Sequence, residues 1–525
     1  SGVAGDGSLR GEIRAANAQA GADSVVFAPG LSGTITISGT GLVDQGPIAI
    51  EGPGPGAIVV RQISGGHRVL QVKLKEPGPV SISGLTLTGG ETSGPGGDLE
   101  YDAEGEPATL TVTDCLIAGG ETQDYGGGIA SIGAPLTLRD SVVTENEGDS
   151  GGGVWAGGDK TPFTIEGSTI SGNESTGPGG GLNGEVEGGG HDTIVDSTVA
   201  GNISGNEGGG ATFSLGTGTS LTIANSTFAE NVADDGGGGL EIDTFEEAPV
   251  ATIEDSTIAG NHAGGLLGEA GGVETFGTVP QILLDSIVAG NTGGDADVYG
   301  PWATAFSLIG DPTGGKLSET VPGSDLIGVD PQLGPLGANG GPTATMAPSP
   351  GSPVVNKGGG TLGTDQRGDP RPIVYPRIAL SAAAGANGAD IGAVELQAPS
   401  LSVQPTPPAN SGPAPSPPPV AGPPRVRVAC PSGAAPGGCR FALQVFSSRP
   451  RPGKGKGRRG RAAAPVAESA IARLKLRPGK HATVALKPKP RFAAKLEAAK
   501  TLLVREVETV NGTVRTAYRR LKVLG

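Results

Sequence analysis

The sequence predicts an all-β protein whose body is a right-handed parallel β-helix, and three observations lead there. Relatives of the segment Asp255-Ser-Thr-Ile-Ala-Gly-Asn261 begin at Gly84, Asp114, Asp140, Gly167, Asp196, Asn225, Asp255 and Asp285, at steps of 30, 26, 27, 29, 29, 30 and 30 residues. A near-constant period without helical spacing inside it marks a solenoid in which each repeat is one coil. Two columns of the alignment are wholly apolar: Ile82, Val112, Leu138, Ile165, Ile194, Ile223, Ile253 and Leu283, then Leu87, Ile117, Val143, Ile170, Val199, Phe228, Ile258 and Val288. Around them the alternation has period two, as in Leu221-Thr-Ile223, which fits short strands with one buried face. The third observation is composition: 97 Gly and 3% aromatic residues in 525 suit a turn-dense solenoid better than an ordinary α/β enzyme. Like residues stack over like, so the strands pair in parallel, and strand twist makes the crossovers right-handed.

Each element follows from this frame. At the start, Ser8 to Ala20 is the helix candidate, with Leu9, Ile13, Ala16 and Ala20 on one face, Ser8 as N-cap and Gly21 beyond its end. Val25 to Phe27 and Thr34 to Ile37 read as the first strands, which lets the helix lie across the open end of the first coil. Within each coil, the sixth residue after the start is Gly90, Gly120, Asn146, Asn173, Asn202, Asn231, Asn261 or Asn291. Gly and Asn tolerate the left-handed backbone best, so this column is expected as a sharp turn, with stacked Asn side chains able to hydrogen-bond along it. The glycine runs at 126–128, 151–153, 179–181, 208–210 and 236–239 mark a second turn before another strand such as Leu240-Glu-Ile242. They lack the lysine and the following helix of a phosphate loop.

These features resemble three known groups. The first 24 residues are similar to the N-terminal cap of bacterial right-handed parallel β-helix proteins, and the Gly-rich turns with a terminal Gly-Asn look like the polymorphic outer-membrane protein repeat. Beyond Asn291 the repeat decays into Ser307-Leu-Ile-Gly-Asp311, Asp330-Pro-Gln-Leu-Gly-Pro-Leu336, Asn339-Gly-Gly-Pro-Thr343, Pro350-Gly-Ser-Pro353, Thr364-Asp-Gln-Arg-Gly368 and Asp390-Ile-Gly-Ala-Val-Glu395. In that order they resemble the choice-of-anchor Q domain of secreted bacterial β-helix proteins. That resemblance implies extracellular or cell-surface placement, with the export signal already removed. The Pro and Gly density makes the segment a turn-rich cover for the last coil, with Asp365 and Arg367 bracing its loops.

The chain therefore divides into residues 1–24 as cap, 25–310 as parallel β-helix, 311–398 as C-terminal cover, 399–424 as Pro-rich linker and 425–525 as a basic all-β module. That last part holds 24 of the 37 Lys and Arg but 4 of the 53 Asp and Glu, a net charge of +20, which leaves 13 against 49, or −36, for the rest. Strands are expected at 426–428, 441–446, 470–476, 482–486, 502–510 and 513–523, with Asn511-Gly512 as a hairpin turn and residues 491–500 as a short helical stretch. Two early cysteines and a final long hairpin resemble immunoglobulin-like modules of bacterial surface proteins. Cys430 and Cys439 are spaced to close a small disulfide loop, while Cys115 stands in a Ser column as a lone packed thiol. Arg449, Arg451, Lys454, Lys456, Arg458, Arg459 and Arg461 crowd one Gly-rich loop suited to an anionic polymer.

Parallel β-helices also carry polysaccharide lyases and glycosidases, which need a basic proton acceptor near calcium-binding carboxylates, or two facing carboxylates. The outward row after the glycine runs is Ala130, Trp155, Asn183, Thr212, Glu241 and Glu274, with no coherent chemistry. Glu241, Asp243 and Glu274 could gather on neighbouring coils, but in an acidic body they are expected as solvated surface. Arg139 and Lys160 are the few basic candidates, and His67, His191, His262 and His481 fit no metal spacing. The reading is a secreted, non-catalytic structural or adhesion protein with no catalytic residue, no cofactor and no membrane span, tethered through its basic module to a wall or matrix polymer or a polysaccharide. The alternative is a lyase or glycoside hydrolase acting on extracellular polysaccharide. Calcium has no ligand spacing to support it, no dedicated nucleic-acid site is evident, and oligomeric state is left open.

Overall fold

The computed structural model describes residues 5–397 apart from 104, 106, 245–249, 265–268 and 295–296, together with six strands between 425 and 522. Its contacts divide the chain into Ser1–Ser402 and Val403–Gly525. The first unit is an all-β parallel solenoid. One coil shows the plan: Thr219–Ala224 forms a first wall, Thr227–Ala229 a second wall, Val232–Ala233 a short edge and Leu240–Thr244 a third wall. The second wall stacks 12 strands and the short edge seven. Val298–Ala305 runs through the last corner and joins the third wall to the first.

The two apolar columns are in register from coil to coil. Ile194, Ile223, Ile253 and Leu283 stack in the first wall, and Val199, Phe228, Ile258 and Val288 in the second. All eight are buried in one continuous core, the main source of stability in so glycine-rich a chain.

The Asn column corrects the expected corner chemistry. Left-handed backbone falls on the first residue of each repeat, as in Asp114, Asp140, Asp196, Asn225, Asp255 and Asp285, and on the residue before the Asn column, as in Glu145 and Glu230. The Asn residues themselves are buried and face inward. Their Nδ2 groups donate along one ladder, Asn146 to Asn173, to Asn202, to Asn231, to Asn261 and to Asn291, at 2.9–3.0 Å onto each next Oδ1. Each also donates its backbone N–H to that same oxygen, as Asn202 does at 3.0 Å. Asn291 ends the chain on the carboxylate of Asp297 at 2.8 Å. Asn is selected here because only a primary amide supplies an acceptor to one coil and donors to the other. The glycine runs serve the same junction: a Cβ on Gly210 would run into Gly239 O and the Asn231 side chain.

The cap helix is shorter than its pattern suggests, spanning Leu9–Ala16. The Ser8 hydroxyl accepts from Gly11 N at 3.1 Å, while Leu9 and Ile13 are buried over the first coil. The helix ends in a tighter turn, with Gln19 N donating to Ala16 O at 2.9 Å, and Asn17 ties that end to the first coil, donating to Val43 O at 2.9 Å and accepting from Gln45 N at 2.8 Å.

The C-terminal part of this unit differs most from expectation. Coils continue past residue 310, since Leu326–Ile327 still pairs with the second wall. The remainder is not an end cover. It doubles back along the outer side of the second wall as a strap over four successive coils. Thr343 Oγ1 donates to Asp196 O at 3.0 Å, and Asn225 Nδ2 to Thr364 O at 2.9 Å. Ala393 N donates to Thr257 Oγ1 at 3.1 Å, and Gly359 N to Asp285 Oδ1 at 2.6 Å. Gln366 ties two coils, its Nε2 donating to Ser197 O at 3.0 Å and its Oε1 accepting from Thr227 Oγ1 at 2.6 Å. Arg371, fully buried, pairs with Asp255 at 2.6 Å and Glu395 at 3.1 Å. Asp365 and Arg367 pair at 2.7 Å inside the strap.

The second unit has antiparallel strands Arg425–Ala429, Cys439–Phe446, Ala472–Leu476, His481–Ala485, Thr501–Val510 and Thr513–Lys522. The last two pair from Val510 with Thr513 outward, while the turn expected at Asn511 and Gly512 lies outside the described residues. The loop of Arg449, Arg451, Lys454, Lys456, Arg458, Arg459 and Arg461, residues 491–500 and the Cys430–Cys439 bond lie outside the described residues. Among the described residues Cys115 is a free, buried cysteine.

Candidate functional site on the third wall

The strands of the third wall place one outward column in exact sequence order along the solenoid: Glu100, Ala130, Trp155, Asn183, Thr212, Glu241, Glu274 and Tyr299. Two residues on, Asp243 aligns with Ser214 and Phe276. Neighbouring strands stand about 4.8 Å apart, close to one sugar of an extended glycan. Position in the row is thus what the repeat register dictates, but exposure is not. Glu241 is 2% exposed and Glu274 0%, so these two are not solvated surface. The turns before each strand fold over the row: Glu274 Oε2 accepts from Gly237 N and Ala270 N, both at 3.0 Å.

Carboxylates converge at one end. Oxygens of Glu207, Glu241 and Asp243 lie within 4.8 Å of one another, with Glu241 buried and the other two partly exposed. Burial first, then the charges of Glu207, Asp243 and Glu274, push Glu241 up to about 9. Burial also raises Glu274 to about 7, against the pull of its two N–H donors. Glu207 and Asp243 shift upward as well, chiefly through burial. Glu207 was not singled out by sequence reasoning, because it sits in the turn before its strand; the acidic residue at the head of that glycine run was the available signal.

Aromatic pairs bracket the carboxylates. Tyr125 stacks on Trp155 with ring centres 4.9 Å apart, and Phe276 meets Tyr299 at 5.9 Å. Tyr125 and Phe276 are open to solvent. Between them Asn183 donates to Ser150 Oγ at 2.6 Å and Glu185 at 2.9 Å. The basic candidates are placed apart from this group: Arg139 pairs with Glu166 at 2.6 Å in the first wall, and Lys160 stands in a left-handed turn.

Residues 93–279 match the family model described as a right-handed beta helix region. No curated protein matches the chain, and no solved structure does. No helix among the described residues is long and apolar enough to cross a membrane.

Proposed function

We propose that this protein is an extracellular or cell-surface adhesion or spacer protein that holds a polysaccharide along the third wall and is tethered through its basic module to an anionic polymer. The carrying observation is the pair of aromatic contacts, Tyr125 on Trp155 and Phe276 by Tyr299, whose exposed members Tyr125 and Phe276 flank the partly exposed carboxylates Glu207 and Asp243 along the third wall. Sugars present apolar ring faces to aromatics and hydroxyls to carboxylates and amides, and the coil spacing repeats such contacts along a linear chain. The tether rests on the +20 charge of residues 425–525 and the uncharged Pro-rich spacer before them, and the surface placement on the six motifs from Ser307 to Glu395. Affinity electrophoresis in gels carrying neutral or acidic polysaccharides tests the wall. Retardation by at least one polymer, lost in Tyr125→Ala and Phe276→Ala, is expected; equal migration of wild type and both variants in every gel sinks the reading.

A second reading is glycoside hydrolysis. It is favoured by one buried carboxyl, Glu241, within 4.8 Å of the partly exposed Glu207 and Asp243, an arrangement that separates an acid from a base. Reducing-end release from the retained polymer, abolished by Glu241→Gln, would place it first.

A further inference from the structure

We propose that Glu207, Glu241 and Asp243 hold one divalent cation, calcium by preference, between two adjacent coils. Three carboxylates offer oxygens within 4.8 Å of one another. Oxygens this close can share one ion, and a partly open, oxygen-only set suits calcium, which takes flexible geometry at about 2.4 Å, better than magnesium, which demands a near-ideal octahedron at about 2.1 Å. The independent observation is Glu241 itself: it is 98% buried, and its Oε2 has no hydrogen-bond partner.

Along the same row another buried carboxylate is held differently. Glu100, in the same register column, is paired with Arg68 at 2.7 Å and accepts from Gln71 at 2.6 Å. Among the described residues no Lys, Arg or His pairs with Glu207, Glu241 or Asp243. A buried carboxyl oxygen left without a partner is costly, and a hard cation is the partner that oxygen-only donors select. The cradle is also held in shape. Glu207 O accepts from Ser204 Oγ at 2.8 Å and Thr212 Oγ1 at 3.2 Å, which fixes the turn that carries the Glu207 side chain. Glu241 and Asp243 stand on one strand with alternate positions on the same side. The partly exposed Glu207 and Asp243 leave the open side of the ion to water, as expected of a site of moderate affinity.

The inference stands independently of the polysaccharide reading, because its test uses the metal ion alone. It excludes the hydrolase reading while the ion is bound, since Glu241 as ligand has no proton to give. Calorimetric titration of the full chain, stripped with chelator, with calcium chloride should show one saturable site with a dissociation constant below about 1 mM, and magnesium binding more than tenfold more weakly. Glu241→Gln, which keeps size and shape, should weaken calcium at least tenfold and abolish the calcium-induced rise in melting midpoint. The double variant Glu147→Gln, Glu174→Gln, on the short edge, should leave both unchanged. Absence of a saturable site up to about 10 mM calcium, or a site fully retained in Glu241→Gln, overturns the proposal.

Discussion

The second and third walls belong to the same coils, and both bury polar side chains on the outer side, yet they do so differently. On the second wall the strap supplies partners: Gln366 joins Ser197 and Thr227, and Arg371 enters between Asp255 and Glu395. On the third wall Glu241 Oε2, Glu274 Oε1 and Trp155 Nε1 are buried without a hydrogen-bond partner. The strap braces the first with a buried cation, Arg371, although Asp196 Oδ1 and Asn225 Oδ1 beneath it also lack a hydrogen-bond partner, whereas among the described residues no cation pairs with Glu241 or Glu274. A countercharge, rather than buried polarity by itself, is what distinguishes the two walls.

The largest effect expected from breaking this contrast is Arg371→Met. It strands Asp255 and Glu395 as buried charges and should cost about 3–5 kcal/mol, read as a lowered midpoint in chemical denaturation. Glu241→Gln, in chelator, should behave oppositely and leave the midpoint unchanged or raised, because no buried partner is lost. If both variants fall alike, the distinction between the walls fails.

An inward carboxyl that belongs to neither wall sharpens the rule. Asp192 faces the core, accepts from Phe163 N at 3.1 Å and is raised by burial from 3.8 to about 7. The folded state thus binds the proton more tightly than the unfolded chain. Its favourable contribution is complete below about pH 4 and is lost as pH rises to about 7, on the order of 2–4 kcal/mol. Asp192→Asn should flatten that part of the stability profile; an identical slope in the variant removes Asp192 as its cause.

Next in size is Asn231→Val, at about 2–3 kcal/mol, because it leaves the Asn202 amide groups without an acceptor. Smallest is Glu230→Gly, which relieves a left-handed residue at φ 59° and should stabilise by about 0.5–1 kcal/mol. Thermal melts of the two side by side check which residue forms the corner: a stabilising Asn231→Gly with a destabilising Glu230→Gly would reverse the assignment.

Much of the fold was legible in the sequence because the stacking constraint repeats. A column such as Ile194, Ile223 and Ile253 reports burial three times over. The Asn column was equally legible as a column, but its conformation was not, since Asn suits both a left-handed corner and an amide ladder. The strap was illegible in its destination: residues 343–396 carry no period, and their partners lie up to 169 residues away. The row of the candidate site followed from the register, whereas the burial of Glu241 and Glu274 depends on turns folding over them. Local sequence around either glutamate says nothing of that cover.

The strap also acts as a ruler. It touches the repeats beginning at Asp196, Asn225, Asp255 and Asp285 at fixed points along its own length. A duplicated coil inserted between those repeats would shift every later contact by one strand spacing and leave the strap short. A coil added between Asp114 and Gly167 would meet no such gauge, because among the described residues the strap's hydrogen bonds to the coils begin at Asp196. The solenoid is accordingly extensible at one end and measured at the other, so reach and attachment to its own strap are properties that can change separately.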